Sequence, residues 1–160
     1  MKLQELINEA DLVMTLPQIK AYFLGALHAE KPLPFSTAIM EVLEEKNEAL
    51  EEELKTLFQN LKTNRQAETK TIFPQSKTDQ EFLSVAREQL DYFLMGMSLA
   101  GTHGEACTDE DVGELIDELE DTVLELDEYL SVENPEKEDT DDIKSFLIET
   151  WEEFIKSKKF

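Results

Sequence analysis

Asp79-Gln80-Glu81-Phe82-Leu83-Ser84-Val85-Ala86-Arg87-Glu88-Gln89-Leu90-Asp91-Tyr92-Phe93-Leu94-Met95-Gly96-Met97 is the stretch on which the fold turns. Phe82, Val85, Ala86, Gln89, Leu90, Phe93, Leu94 and Met97 recur three and four residues apart. That spacing lines one side of a 3.6-residue helix and does not suit a strand. Thr78 or Asp79 can cap its start, and Ala100-Gly101-Thr102-His103-Gly104 is a glycine-rich stop.

The same period extends outward in both directions. Leu3, Leu6 and Ile7 mark a short opening helix. Thr15-Leu16-Pro17-Gln18 has the form of a capping box with a proline in the first turn, and Ile19, Tyr22, Phe23, Ala26 and Leu27 follow as one apolar face. Pro32 and Pro34 end that helix, because a proline restricts the residue before it. Ile39, Val42 and Leu43 come next, then a polar break over Glu44 to Glu48, then Leu50, Leu54, Leu57 and Leu61. Asn47 is a good N-cap, so two helices are preferred to one over residues 35–63. Lys62 to Thr78 reads as a polar connector that tucks Ile72 and Phe73 onto the core.

On the C-terminal side, Thr108-Asp109-Glu110-Asp111 reads as a capping box with acids where the helix dipole favours them. Val112, Leu115, Ile116, Leu119, Val123, Leu126 and Leu130 form the buried stripe behind it. An acidic loop over 133–142 leads to a last helix with Ile143, Phe146, Leu147, Trp151, Phe154 and Ile155 inward. Lys156, Lys158 and Lys159 suit its C-terminal end. With five Gly, five Pro and 41% apolar residues in 160, the expectation is an all-α, single-domain bundle of about six to seven helices over residues 1–160.

Two segments echo each other. Tyr22-Phe23-Leu24-Gly25-Ala26-Leu27 and Phe93-Leu94-Met95-Gly96-Met97-Ser98 each place a glycine three residues after an aromatic. A glycine inside a strong helix costs ~1 kcal/mol relative to alanine. Close approach of a second helix is the physical reason to accept that cost at Gly25 and Gly96; a chance match of so short a pattern is the alternative.

At these residues the chain resembles the YecA/YgfB family of small bacterial helical proteins. Ile19, Tyr22, Phe23, Gly25 and Leu27 fit the family's first glycine-containing helix, whereas Lys20 and Ala21 depart from it. Phe93-Leu94-Met95-Gly96-Met97-Ser98-Leu99-Ala100 is similar to the family's F-L-L-G-I-G-L-A, and Val112-Gly113-Glu114-Leu115-Ile116-Asp117-Glu118-Leu119 to its I-G-E-A-V-D-D-L. The resemblance spans nearly the whole chain, and its motifs are packing motifs. It implies an all-helical fold, a bacterial cytosolic setting and no established activity. The Cys-rich SEC-C zinc tail of some members has no counterpart in Lys156-Ser157-Lys158-Lys159-Phe160.

The catalytic inventory is thin. His28 and His103 are the only histidines, and no G-x-S-x-G, Walker A or Rossmann fingerprint occurs. His103 and Cys107 stand four apart but supply two of the four ligands a structural zinc needs. Asp139-Thr140-Asp141-Asp142 lacks the EF-hand glycine and terminal glutamate. Trp151, Phe146 and Phe154 could line an aromatic box, but at helical spacing they read as core. The expectation is therefore a non-enzyme with no metal and no cofactor.

Charge carries the remaining information. Fifteen bases stand against 37 acids, for a net charge of −22. Such a surface repels nucleic acid and anionic membranes. No apolar run is long enough for a signal peptide or a membrane span, and a lone cysteine suits a reducing cytosol, so a soluble cytoplasmic protein is expected. Between Glu105 and Asp142 there are eighteen acids and one base, Lys137, so seventeen of the 22 net charges lie in 38 residues. A solvated surface explains acidity in general; its concentration on one half would steer a basic partner there. The reading is a non-enzymatic interaction or regulatory protein that binds a basic protein partner. The candidate face comprises Asp117, Glu118, Asp121, Glu125, Glu133, Glu136, Glu138, Asp139, Asp141 and Asp142. The alternative is a nucleic-acid mimic that inhibits a DNA-binding protein. A homodimer is left open.

Overall fold

The computed structural model describes residues 2–73, 78–102 and 108–157. Among these the chain is all-α, with eight helices and one 3-10 turn. They are α1 (Lys2–Ala10), α2 (Leu16–His28), α3 (Phe35–Ala38), the 3-10 turn Ile39–Glu41, α4 (Glu48–Thr63), α5 (Arg65–Lys70), α6 (Asp79–Leu99), α7 (Glu110–Leu130) and α8 (Lys137–Ser157).

Local chemistry sets most of the boundaries. The Gln18 backbone N–H donates to the Thr15 hydroxyl at 3.4 Å, and the Thr15 N–H donates back to the Gln18 side chain at 3.0 Å. That reciprocal pair satisfies two amides left open at the start of α2. Asn47 accepts from the Leu50 N–H at 3.2 Å and starts α4, so residues 35–63 are divided there. Thr78 accepts from Glu81 at 3.2 Å and starts α6. Gly101 follows α6 with φ +82°, a left-handed conformation that side chains resist.

α2 and α6 form the most extensive helix–helix contact and carry the centre of the molecule. Every residue of α2 from Ala21 to His28 is buried, because α4, α5 and α6 all pack on it. The apolar face read from the sequence is thus only part of what α2 buries. α7 packs on α6, and α8 on α7. Two aromatic clusters fill the core. Phe23 meets Phe58 edge-on at 5.2 Å with Phe35 beside both, and Trp151 meets Phe93 at 4.9 Å with Phe73 and Phe154 around it. Such pairs contribute roughly 0.5–1.5 kcal/mol each beyond area burial.

Four sequence expectations need correction. The polar connector contains a helix, α5, whose Thr69 is fully buried; the Thr69 backbone carbonyl accepts the Trp151 indole N–H at 3.2 Å. Its polar composition hid a helix held by tertiary hydrogen bonds rather than by an apolar stripe. The α7 cap is Asp109, accepting from Asp111 and Val112. Thr108 instead donates its N–H and hydroxyl to the Glu30 carboxylate at 2.7 and 2.5 Å. The acidic stretch 133–142 is a loop only as far as Glu136; from Lys137 onward it is helical. Phe146 is 39% exposed rather than inward. Gly104, Lys158 and Lys159, read as a stop and as dipole partners, lie outside the described residues.

Candidate functional site

Gly25 and Gly96 lie in the α2–α6 contact. A β-carbon on Gly25 would overlap the Phe93 carbonyl oxygen and stand 2.8 Å from its carbon. One on Gly96 would overlap the Tyr22 carbonyl oxygen and stand 2.7 Å from the Ala26 nitrogen. The two echoed segments therefore pack on each other. Each glycine receives the aromatic residue that precedes its counterpart by three places.

His28 is buried in the same region, 2% exposed, and its Nε2 hydrogen-bonds the Thr69 hydroxyl. The same hydroxyl lies 2.7 Å from the Arg65 carbonyl, so Thr69 ties His28 of α2 to the backbone of α5. Trp151 is 3% exposed and packs edge-on against Phe93 and tilted against Phe154. Both side chains are buried within the core. The candidate zinc ligands His103 and Cys107 lie outside the described residues. Among the described residues, no group of three or more His, Cys, Asp or Glu is placed to hold a metal ion.

All ten acids of the candidate face are solvent-exposed, four of them on α7, Glu133 and Glu136 in the turn before α8, and the rest on the first turns of α8. They do not form one cluster. Asp117 and Glu118 stand about two turns before Glu125, roughly 10–12 Å along the axis. Glu125, Asp139 and Asp142 do converge, across a groove of about 550 Å³ between the end of α7 and the start of α8. Glu128, Tyr129, Val132, Ile143 and Phe146 complete its lining.

This groove escaped sequence reading for two reasons. Val132 lies just past α7, outside any helical period, yet it is 55% exposed on the groove. Phe146 continues the α8 stripe by spacing, although the helix turns it to the rim. The floor is held firmly: the Tyr129 hydroxyl bonds the Thr140 hydroxyl and accepts from Gln80 Nε2 at 3.2 Å.

Two nearby cations, Arg87 and Lys144, are engaged away from the groove. Arg87 grips Asp127 with two hydrogen bonds, at 2.6 and 3.1 Å, which raise the guanidinium pKa above its already high ordinary value. Lys144 pairs with Asp79 at 2.8 Å and sits over the Phe82 ring. Among the described residues, Glu125, Glu128, Asp139 and Asp142 make no salt bridge.

No protein-family model matches the chain, and no curated protein or solved structure matches it either. Among the described residues, no helix is long and apolar enough to cross a membrane.

Proposed function

We propose that the chain is a non-enzymatic interaction or regulatory protein that binds a basic protein partner through the acidic surface of α7, α8 and the turn between them. The supporting observation is the excess of exposed carboxylates there, with Arg87 and Lys144 already committed to Asp127 and Asp79. A surface of this kind raises the encounter rate with a cationic partner and repels anionic ones. The YecA/YgfB resemblance adds a bacterial, cytosolic setting to this proposal and contributes no activity.

Nucleic-acid mimicry is the rival. DNA-binding clefts are polar and basic, and a mimic needs carboxylates on a polar surface. Val132 and Phe146 standing among the acids favour a partner with apolar anchors instead.

The test uses a 20-residue oligolysine as probe. Binding should weaken as salt rises, since exposed charges more than ~8–10 Å apart are screened at physiological ionic strength. Asp117→Asn, Asp121→Asn, Glu133→Gln and Glu136→Gln together should slow association more than the same neutralisation at Glu44, Glu45, Glu48 and Glu52. Equal effects of the two sets, or indifference to salt, would reduce the acidity to a solubility device. Displacement of DNA from a DNA-binding protein, surviving polar replacement of Val132 and Phe146, would support mimicry.

A further inference from the structure

We infer that the groove between the end of α7 and the start of α8 seats a basic amphipathic helix of the partner. This rests on the basic-partner reading above and specifies its contact. The groove has three parts. Val132, at 55% exposure, and Phe146, at 39%, form an apolar lip above the half-buried Ile143. Tyr129, 9% exposed, forms the floor and is pinned by Thr140 and Gln80. Glu125 and Glu128 on one wall, with Asp139 and Asp142 on the other, supply the charge.

Charge complementarity decides the occupant. A second copy of this chain would bring its own acids onto four carboxylates, so the face does not suit a homodimer. Nucleic acid and anionic lipid are repelled for the same reason. A neutral apolar ligand would strip water from the carboxylates without replacing it. A segment that carries both bulky apolar residues and Lys or Arg meets both requirements.

The shape selects a helix. The walls are two packed helices, and a third helix can lay its side-chain ridge in the groove between them. Asp139 to Phe146 spans about 10 Å of α8 at 1.5 Å per residue, or two turns, and Glu125 to Leu130 about 7–8 Å of α7. The occupant therefore needs two apolar anchors three or four residues apart, flanked on both sides by Lys or Arg. Because the Tyr129 floor is already fixed by hydrogen bonds, little ordering cost falls on this side of the contact.

The test compares two fluorescent 14-residue peptides made only of Leu and Lys, identical in composition. One has Leu at helical i, i+3, i+4 spacing, and the other is scrambled. Affinities are measured by anisotropy, and the contact is mapped by amide chemical-shift changes. The patterned peptide should bind at least tenfold more tightly, with shifts centred on residues 125–132 and 139–146. Val132→Ser with Phe146→Ser should abolish that preference while leaving binding of the scrambled peptide unchanged. Should this double variant melt early, Glu128→Gln with Asp142→Asn serves instead, and should weaken the patterned peptide more than the scrambled one. Equal affinities of the two peptides for the parent protein, both salt-sensitive, would overturn the groove and leave the acidic-face reading standing. A preference that survives the Val132 and Phe146 changes would also overturn the groove. Failure of both peptides to bind at low salt would sink both readings.

Discussion

Gly25 and Gly96 face each other across the α2–α6 contact, each against the backbone carbonyl of the aromatic residue three places before the other. The obstructing atoms are main chain, so no side-chain rotation relieves an added methyl. Gly25→Ala and Gly96→Ala should each destabilise by roughly 1–3 kcal/mol, even though alanine gains ~1 kcal/mol of helix propensity. At this chain length that is a fall in Tm of about 2–4 °C per kcal/mol. Thermal melts check it, and an alanine variant as stable as the parent would refute the close contact.

Tyr22 predicts a pH dependence. Its hydroxyl donates to the Ala38 carbonyl at 2.9 Å, and burial, with a smaller effect of Glu41, pushes its pKa up to about 12. The unfolded phenol titrates near ~10. Below that pH both states keep the proton and the contribution is whole. As pH rises toward 12 the unfolded chain releases a proton that the folded chain retains, so stability falls, by about 2–3 kcal/mol over the window. Urea unfolding at pH 9 to 11.5 should show the advantage of the parent over Tyr22→Phe shrinking. A constant difference would contradict this.

Trp151 is the only tryptophan and donates its indole N–H to the Thr69 carbonyl at 3.2 Å. Trp151→Phe keeps an aromatic ring in the cluster but removes the indole donor, leaving the Thr69 carbonyl with the longer bond from the Ile72 N–H at 3.4 Å. The lost hydrogen bond and the space left by the smaller ring should together cost about 1–3 kcal/mol, measured by urea unfolding followed by circular dichroism. In the parent, emission should be blue-shifted and shielded from quenchers, in keeping with 3% exposure.

The Arg87–Asp127 pair links α6 to α7 with side chains 28% and 48% exposed. Its two-pronged geometry places it toward the upper end of partly exposed pairs, so a double-mutant cycle should yield a coupling of about 1 kcal/mol. Arg87→Lys should recover less than half of that, because an ammonium cannot make both bonds in plane. Lys46–Glu48, with side chains 80% and 84% exposed, should show no measurable coupling.

Folding is expected to need no metal. Treatment with a chelator should leave Tm unchanged; a large drop would direct attention to His103 and Cys107.

What the residues reveal unaided is the helical architecture. The period of Phe82 to Met97, the Thr15–Gln18 box and the Asn47 cap are properties of contiguous chain, and each appears in the structure at its expected place. Where a boundary depends on a distant residue, local reading fails. Thr108 looks like a cap but is taken by Glu30, 78 residues away, and the role passes to Asp109. Helix α5 has no apolar stripe to announce it, because Thr69 meets His28 and Trp151 through hydrogen bonds.

Sequence alone thus determined that the chain is helical, where most helices start, and that the negative charge gathers in the C-terminal half. Periodicity, capping and net charge are all short-range or additive quantities. Tertiary structure decided the rest: that Gly25 and Gly96 pack against one another's helices, and that Glu125, Glu128, Asp139 and Asp142 converge while Asp117 and Glu118 stand apart. It also placed Val132 and Phe146 at the lip of the groove. Such relations depend on how α7 and α8 pack, and on the Tyr129–Thr140 hydrogen bond that joins them. No helical period specifies which side of one helix will meet another.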